Sequence, residues 1–114
     1  MDLDALRREY ESHPLEVDAV DPDPIVQIRR WLEEWIATTP HEPTAMVLAT
    51  ADAAGVPTAR NVLLRRLDAD GLVFFTSYES RKARDLAANP SATALFCWVP
   101  VLRQIHVTGT VAKL

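Results

Sequence analysis

Three short stretches of this 114-residue chain place side chains in patterns able to do chemistry. Ser80-Arg81-Lys82 opens a run of good helix formers that stops at Asn89-Pro90, so two cations stand at a helix N-terminus. There they oppose the helix dipole, at a cost of about 0.3 kcal/mol or more each. A phosphate would reverse that sign, because free backbone N–H groups, the dipole and two cationic side chains would converge on it. Without an anion the segment is a solvated basic turn. The second stretch, Arg60-Asn61-Val62-Leu63-Leu64-Arg65-Arg66, reads as a strand with arginines around an apolar centre. Alternation puts Arg60, Val62, Leu64 and Arg66 on one face and Asn61, Leu63 and Arg65 on the other. Its plain reading is an apolar strand whose charged ends reach solvent. In the third stretch, Gln104 and His106 share a face with Thr108 and Thr110, opposite Ile105 and Val107. Such a face is either simply wet or supplies amide hydrogen bonds to a heteroaromatic ring.

Other chemistries are poorly served. Twelve Lys and Arg against sixteen Asp and Glu give a net charge of −4, which argues against a dedicated nucleic-acid binder. The three glycines, Gly55, Gly71 and Gly109, lie too far apart for a phosphate-cradling loop. His13, His41 and His106 have no metal-ligand spacing, and Cys97, between Phe96 and Trp98, reads as a core thiol. No nucleophile and base form a recognisable local set, so no catalytic residue is assigned and a cofactor would carry any enzymatic step. The acidic start Met1-Asp2-Leu3-Asp4 is unlike a signal peptide, and no apolar run approaches a membrane span. With a lone cysteine, these features imply a cytoplasmic protein that contacts neither membrane nor nucleic acid.

The elements that must position these residues are legible in the pattern. Leu3, Leu6 and Tyr10 suggest a short amphipathic helix over residues 2–12 behind an Asp2 cap, and the proline-rich, acidic residues 13–24 read as an extended connector. Residues 1–24 thus precede a domain spanning 25–114. Asp23-Pro24 supplies an N-cap and an N1 proline for a helix with Ile25, Ile28, Leu32, Trp35 and Ile36 on one stripe, ended by Thr38-Thr39-Pro40. Five strands follow over 45–51, 58–66, 72–76, 91–99 and 102–111, the first three joined by hairpin loops at Asp52–Gly55 and Asp68–Gly71. With one helix interrupting the antiparallel strands, the class is mainly β with α (α+β), rolled into a sandwich or barrel. The last strand still needs a neighbour, and it and the Trp31/Trp35 helix both call for cover from a second subunit or further chain. Leu114 resembles a cut end.

Taken in order, Leu6–Tyr10, Asp21-Pro22, Glu42–Thr50, Gly55-Val56-Pro57, Arg60–Arg65, Gly71–Thr76, Ser80-Arg81-Lys82, Asn89-Pro90 and Arg103-Gln104 resemble the pyridoxamine 5'-phosphate oxidase family over nearly the whole chain. The resemblance implies an antiparallel FMN-binding split β-barrel that works as a homodimer with flavin between subunits. It implies FMN contacts at Arg60, Asn61, Val62, Leu63, Leu64, Arg65, Phe75, Thr76, Arg81, Lys82 and Gln104. It further implies substrate contacts at Arg7, Arg8, Glu9, Tyr10 and Arg65. The activity implied is oxidation of pyridoxamine or pyridoxine 5'-phosphate to pyridoxal 5'-phosphate with O2 as acceptor. The phenazine-pathway oxidase of the same superfamily is a close variant, but Leu6–Tyr10 and the Ser80-Arg81-Lys82 triplet fit the vitamin B6 enzyme better. Position 65 is Arg where the family motif usually has Lys, and position 75 is Phe where it usually has Tyr. The family's later Tyr, Arg and Ser, its Gln-Ser pair and its C-terminal Trp and Arg have no counterpart here, so the chain resembles the N-terminal part of such an enzyme. The alternative is a non-catalytic FMN-binding or dimerisation module.

Overall fold

The computed structural model describes residues 1–8 and 14–114. Its centre is a curled antiparallel sheet of five strands: β1 (Ala45–Ala51), β2 (Pro57–Asp68), β3 (Gly71–Phe74), β4 (Ser91–Trp98) and β5 (Arg103–Thr110), in spatial order β3-β2-β1-β4-β5. Two helices accompany it, α1 (Pro24–Ala37) before the first strand and α2 (Arg81–Ala88) between β3 and β4. The first three strands form the expected meander, and α2 carries the chain across the sheet so that β4 pairs with β1.

Local chemistry fixes the element ends. Asp23 Oδ1 accepts the Ile25 amide at 2.9 Å, capping α1 ahead of its N1 proline. In the β1–β2 loop Asp52 Oδ1 accepts the Ala54 and Val56 amides, each at 2.9 Å, and Gly55 takes a φ of 84° that side-chain-bearing residues rarely adopt. At the β2–β3 turn the Asp70 amide, and after it the Arg66 guanidinium, hold the Asp68 carboxyl below its usual range. A 3-10 turn at Val99–Val101 and a left-handed Leu102 lead β4 into β5.

Strand alternation then builds the core. Met46 and Leu48 of β1, Val62 and Leu64 of β2, and Ala92, Ala94, Phe96 and Trp98 of β4 all point to one side and bury there with Leu32 of α1. Trp35 of α1 stacks on Trp98 with ring centroids 5.7 Å apart, and the Arg103 guanidinium lies 4.7 Å over the Trp31 ring. The sheet itself therefore covers the tryptophan face of α1. On β5, Ile105 and Val107 pack against the same core, while the strand's far edge pairs with nothing among the described residues.

Four expectations change. In place of a helix over 2–12, the described residues hold a 3-10 turn at Asp4–Leu6, with Leu3 and Leu6 exposed and Arg7 extended. The segment is too short to sustain a helix without an apolar surface to cover. The connector is interrupted by a 3-10 turn at Val17–Ala19. Cys97 is exposed, because alternation turns it outward between the inward Phe96 and Trp98. Finally, β2 does not alternate throughout: a bulge between Leu64 and Arg66 shifts the register, so Leu67 packs on the core and Arg66 pairs with Asp68 in solvent at 3.0 Å.

Phe96 is wholly buried at the centre of this core. We expect Phe96→Ala to cost about 3–5 kcal/mol of stability, read as a lowered urea midpoint with an unchanged slope.

Candidate phosphate and flavin site

The second strand delivers Asn61, Leu63 and Arg65 to the sheet face opposite the core. Arg65 is the extra residue of the bulge, a device that re-aims a side chain out of the regular ladder. Its guanidinium lies 4.9 Å from the centroid of the Phe75 ring, just beyond the end of β3, so the two departures from the family motif touch each other. With Val62 and Lys82 these residues line one cleft of about 260 Å3.

Lys82 comes from the first turn of α2. Ser80 caps that helix, its Oγ accepting the Ala83 amide at 3.2 Å, and the first intrahelical bond runs from the Arg84 amide to the Ser80 carbonyl. The Arg81 and Lys82 amides precede that bond and point out of the helix start, as in anion sites at helix N-termini. One ammonium, one guanidinium, a side-chain amide and a helix N-terminus are the donor set a phosphate monoester requires. They fit the phosphate end of FMN in charge and donor type. The volume is below the roughly 300–1,000 Å3 of a complete small-molecule pocket.

Arg60 is not the fully solvated strand end that its position suggests. It lies half-buried on the core side, its Nη1 donating to the Leu48 carbonyl at 3.1 Å and to Thr50 Oγ1 at 2.8 Å, its Nη2 donating to Thr58 Oγ1 at 2.6 Å. The same Nη2 is 3.9 Å from the buried Asp85 carboxylate of α2, which Arg81 Nε also approaches at 3.8 Å. Two of the arginines thus meet at a carboxylate that reading by motif had passed over. Asp85 was visible only as the i+4 partner of Arg81, and Thr50 only as a polar residue at an inward position of β1.

The remaining candidates separate. Leu64 is a core residue. Phe75 and Thr76 border a second, larger cleft of about 880 Å3 between β3, α2 and residues 110–114. Gln104 stands on β5 with its amide 2.8 Å from His106 Nε2, three strands from Asn61 and so about 14 Å across the sheet. Arg7 and Arg8 are exposed and line neither cleft, while Glu9 and Tyr10 lie outside the described residues.

Known proteins share the sequence and the fold. The pyridoxine/pyridoxamine 5'-phosphate oxidase of Cupriavidus necator is 52% identical over 108 residues, covering 95% of this chain and 51% of that protein. The enzyme of that name from Rubrobacter xylanophilus is 49% identical over 112 residues, covering 98% and 52%. The chain therefore spans about half the length of the curated relatives it matches. Among solved structures, PhzG from Burkholderia lata 383, determined in complex with tetrahydrophenazine-1-carboxylic acid, superposes with a TM-score of 0.77 at 32% identity, over 85% of this chain and 49% of that one. A pyridoxamine 5'-phosphate oxidase-related, FMN-binding protein from Nostoc punctiforme shares the fold with a TM-score of 0.64 at 22% identity, over 80% of this chain and 47% of that one. The curled sheet is accordingly one half of a split barrel. Residues 32–114 match the sequence profile described as pyridoxamine 5'-phosphate oxidase, and with relatives of about 50% identity along nearly its whole length, the chain belongs to that family.

Proposed function

We propose that this chain supplies the phosphate-anchoring half of an FMN-dependent oxidase acting on pyridoxamine or pyridoxine 5'-phosphate. The observation that carries the reading is the convergence of Asn61, Arg65, Phe75 and Lys82 on one cleft at the start of α2. Lys82 and the α2 amides neutralise and orient the flavin phosphate, and the Asn61 amide hydrogen-bonds a heteroaromatic edge. Arg65, kept flat by Phe75, offers a planar fork to a substrate or flavin oxyanion. Bound FMN would supply the hydride acceptor for the substrate's C4' carbon, with O2 as the final oxidant yielding hydrogen peroxide and pyridoxal 5'-phosphate, directly from the alcohol and, from the amine, after water hydrolyses the imine and ammonia leaves. The protein's own part is to bind, orient and exclude water; no side chain in the cleft is assigned a proton-transfer step.

A homodimer completes the proposal. The solvent-accessible surface is 8602 Å2, whereas a compact monomer of 12.7 kDa exposes about 6,200 Å2. The N-terminal residues 1–8 are exposed, and on the outer sheet face the half-buried Ala45, Val47, Ala49, Thr93 and Leu95 form a patch without charged side chains. A second copy laid on this face would bring its own Gln104 toward the first copy's cleft, which the 14 Å separation of about three strands denies to Gln104 of the same chain. The second reading, a flavin-binding module without turnover, is favoured by the small cleft, in which no side chain is assigned a proton-transfer step.

We expect Lys82→Ala to weaken FMN binding by about ten- to a hundredfold and to leave riboflavin within about twofold, measured by quenching of flavin fluorescence. Equal losses for both ligands would refute the phosphate assignment. Sedimentation should show a dimer that Leu95→Glu converts to a folded monomer, since a carboxylate there would have to be desolvated at the interface. Anaerobic addition of pyridoxine 5'-phosphate to the FMN-loaded chain separates the two readings. Bleaching followed by peroxide on admitting air supports the oxidase, and FMN bound without bleaching supports the module.

A further inference from the structure

We propose that Asp85 is a positioning residue, the clamp that fixes α2 on the sheet and so sets Lys82 for a phosphate; this rests on the flavin reading above. Its side chain is 5% exposed. Oδ2 accepts the Thr50 hydroxyl at 3.0 Å and the Thr58 hydroxyl at 3.1 Å, with Arg60 Nη2 at 3.9 Å, while Oδ1 faces Arg81 Nε at 3.8 Å. Each threonine hydroxyl has one hydrogen, which goes to Asp85, and each also accepts from Arg60, so the hydrogen bonds close into a ring. Among the described residues Asp85 makes the polar side-chain bonds that tie α2 to β1 and β2.

The geometry explains why these cations can assemble before any anion arrives. Arg60, Arg81 and Lys82 beside a helix N-terminus repel one another and the dipole. A carboxylate placed between the two guanidiniums offsets that repulsion and leaves Lys82 uncommitted at the cleft. Asp85 lies three residues after Lys82, on adjacent turns, so the rotation of α2 that seats Asp85 also directs Lys82.

The test uses Asp85→Asn, close to isosteric, with two readouts. In the flavin-free chain, exchange of the α2 amides should accelerate about tenfold or more while α1 is unchanged. In fluorescence titrations FMN affinity should fall about tenfold with riboflavin within about twofold. Unchanged α2 exchange, equal losses of both flavins, or tighter FMN binding would each overturn the clamp, the last by showing that the carboxylate opposes the phosphate. Should Asp85→Asn fail to fold, Thr58→Val removes one arm of the ring and keeps every charge; it should show the same pattern at about two- to threefold, and no change would overturn the proposal. A parent chain that binds no FMN while Asp85→Asn still loosens α2 would overturn the flavin reading and leave the clamp standing.

Discussion

Outside the β2 bulge, the strands that build the core send alternate side chains to opposite sides, and that two-residue period divides the chain's labour. Inward positions of β1, β2 and β4 carry Met46, Leu48, Val62, Leu64, Phe96 and Trp98, which hold the two helices and seal the core. Outward positions of the same strands carry Asn61, Leu63, Arg65, Leu95 and Cys97, none of them needed for that core. Binding chemistry can therefore sit on one face without weakening the other. On β1 and β4 the arrangement leaves an outward patch without charged side chains, Ala45, Val47, Ala49, Thr93 and Leu95.

The electrostatics follow a second constraint, that like charges gathered at one helix end need an opposite charge in hand. A buried carboxylate stripped of a partner costs about 3–5 kcal/mol, so Asp85 and Arg60 depend on each other as much as the ligand depends on them. The threonines matter for the same reason. Without the Thr50 and Thr58 hydroxyls, the remaining lone pairs of Asp85 and donors of Arg60 would be unsatisfied in a site water barely reaches.

Much of this was legible in the sequence. The β1 limits, the Asp23-Pro24 helix start, the α2 start at Ser80-Arg81 and the α+β class all follow from period, propensity and capping chemistry, because those signals are local. The ordered motifs carried the family and the expectation of flavin at Asn61, Arg65 and Lys82. What local pattern could not supply was pairing in space. Arg60 looked like a solvated strand end because its partners are ten, twelve and twenty-five residues distant in sequence, on β1 and α2. Cys97 looked like core because its neighbours are, although alternation alone would have turned it outward. The helix expected at 2–12 rested on an apolar spacing of which Leu3 and Leu6 are exposed, and tertiary cover is what makes such a segment helical.

The bulge at Arg65 makes the site sensitive to chain length in a way that residue identity does not capture. Replacing the side chain at 65 leaves the frame of β2 intact, with Leu67 still turned to the core and Arg66 still in solvent. Deleting that one residue would restore strict alternation, with Leu67 still inward and Arg66 still outward, but would remove the unpaired position that holds a guanidinium over Phe75. Insertions and deletions, usually tolerated best near hairpins, should therefore be excluded from this stretch although it lies only a few residues from a turn. The sequence length between Leu64 and the Asp68 turn is itself part of the binding apparatus.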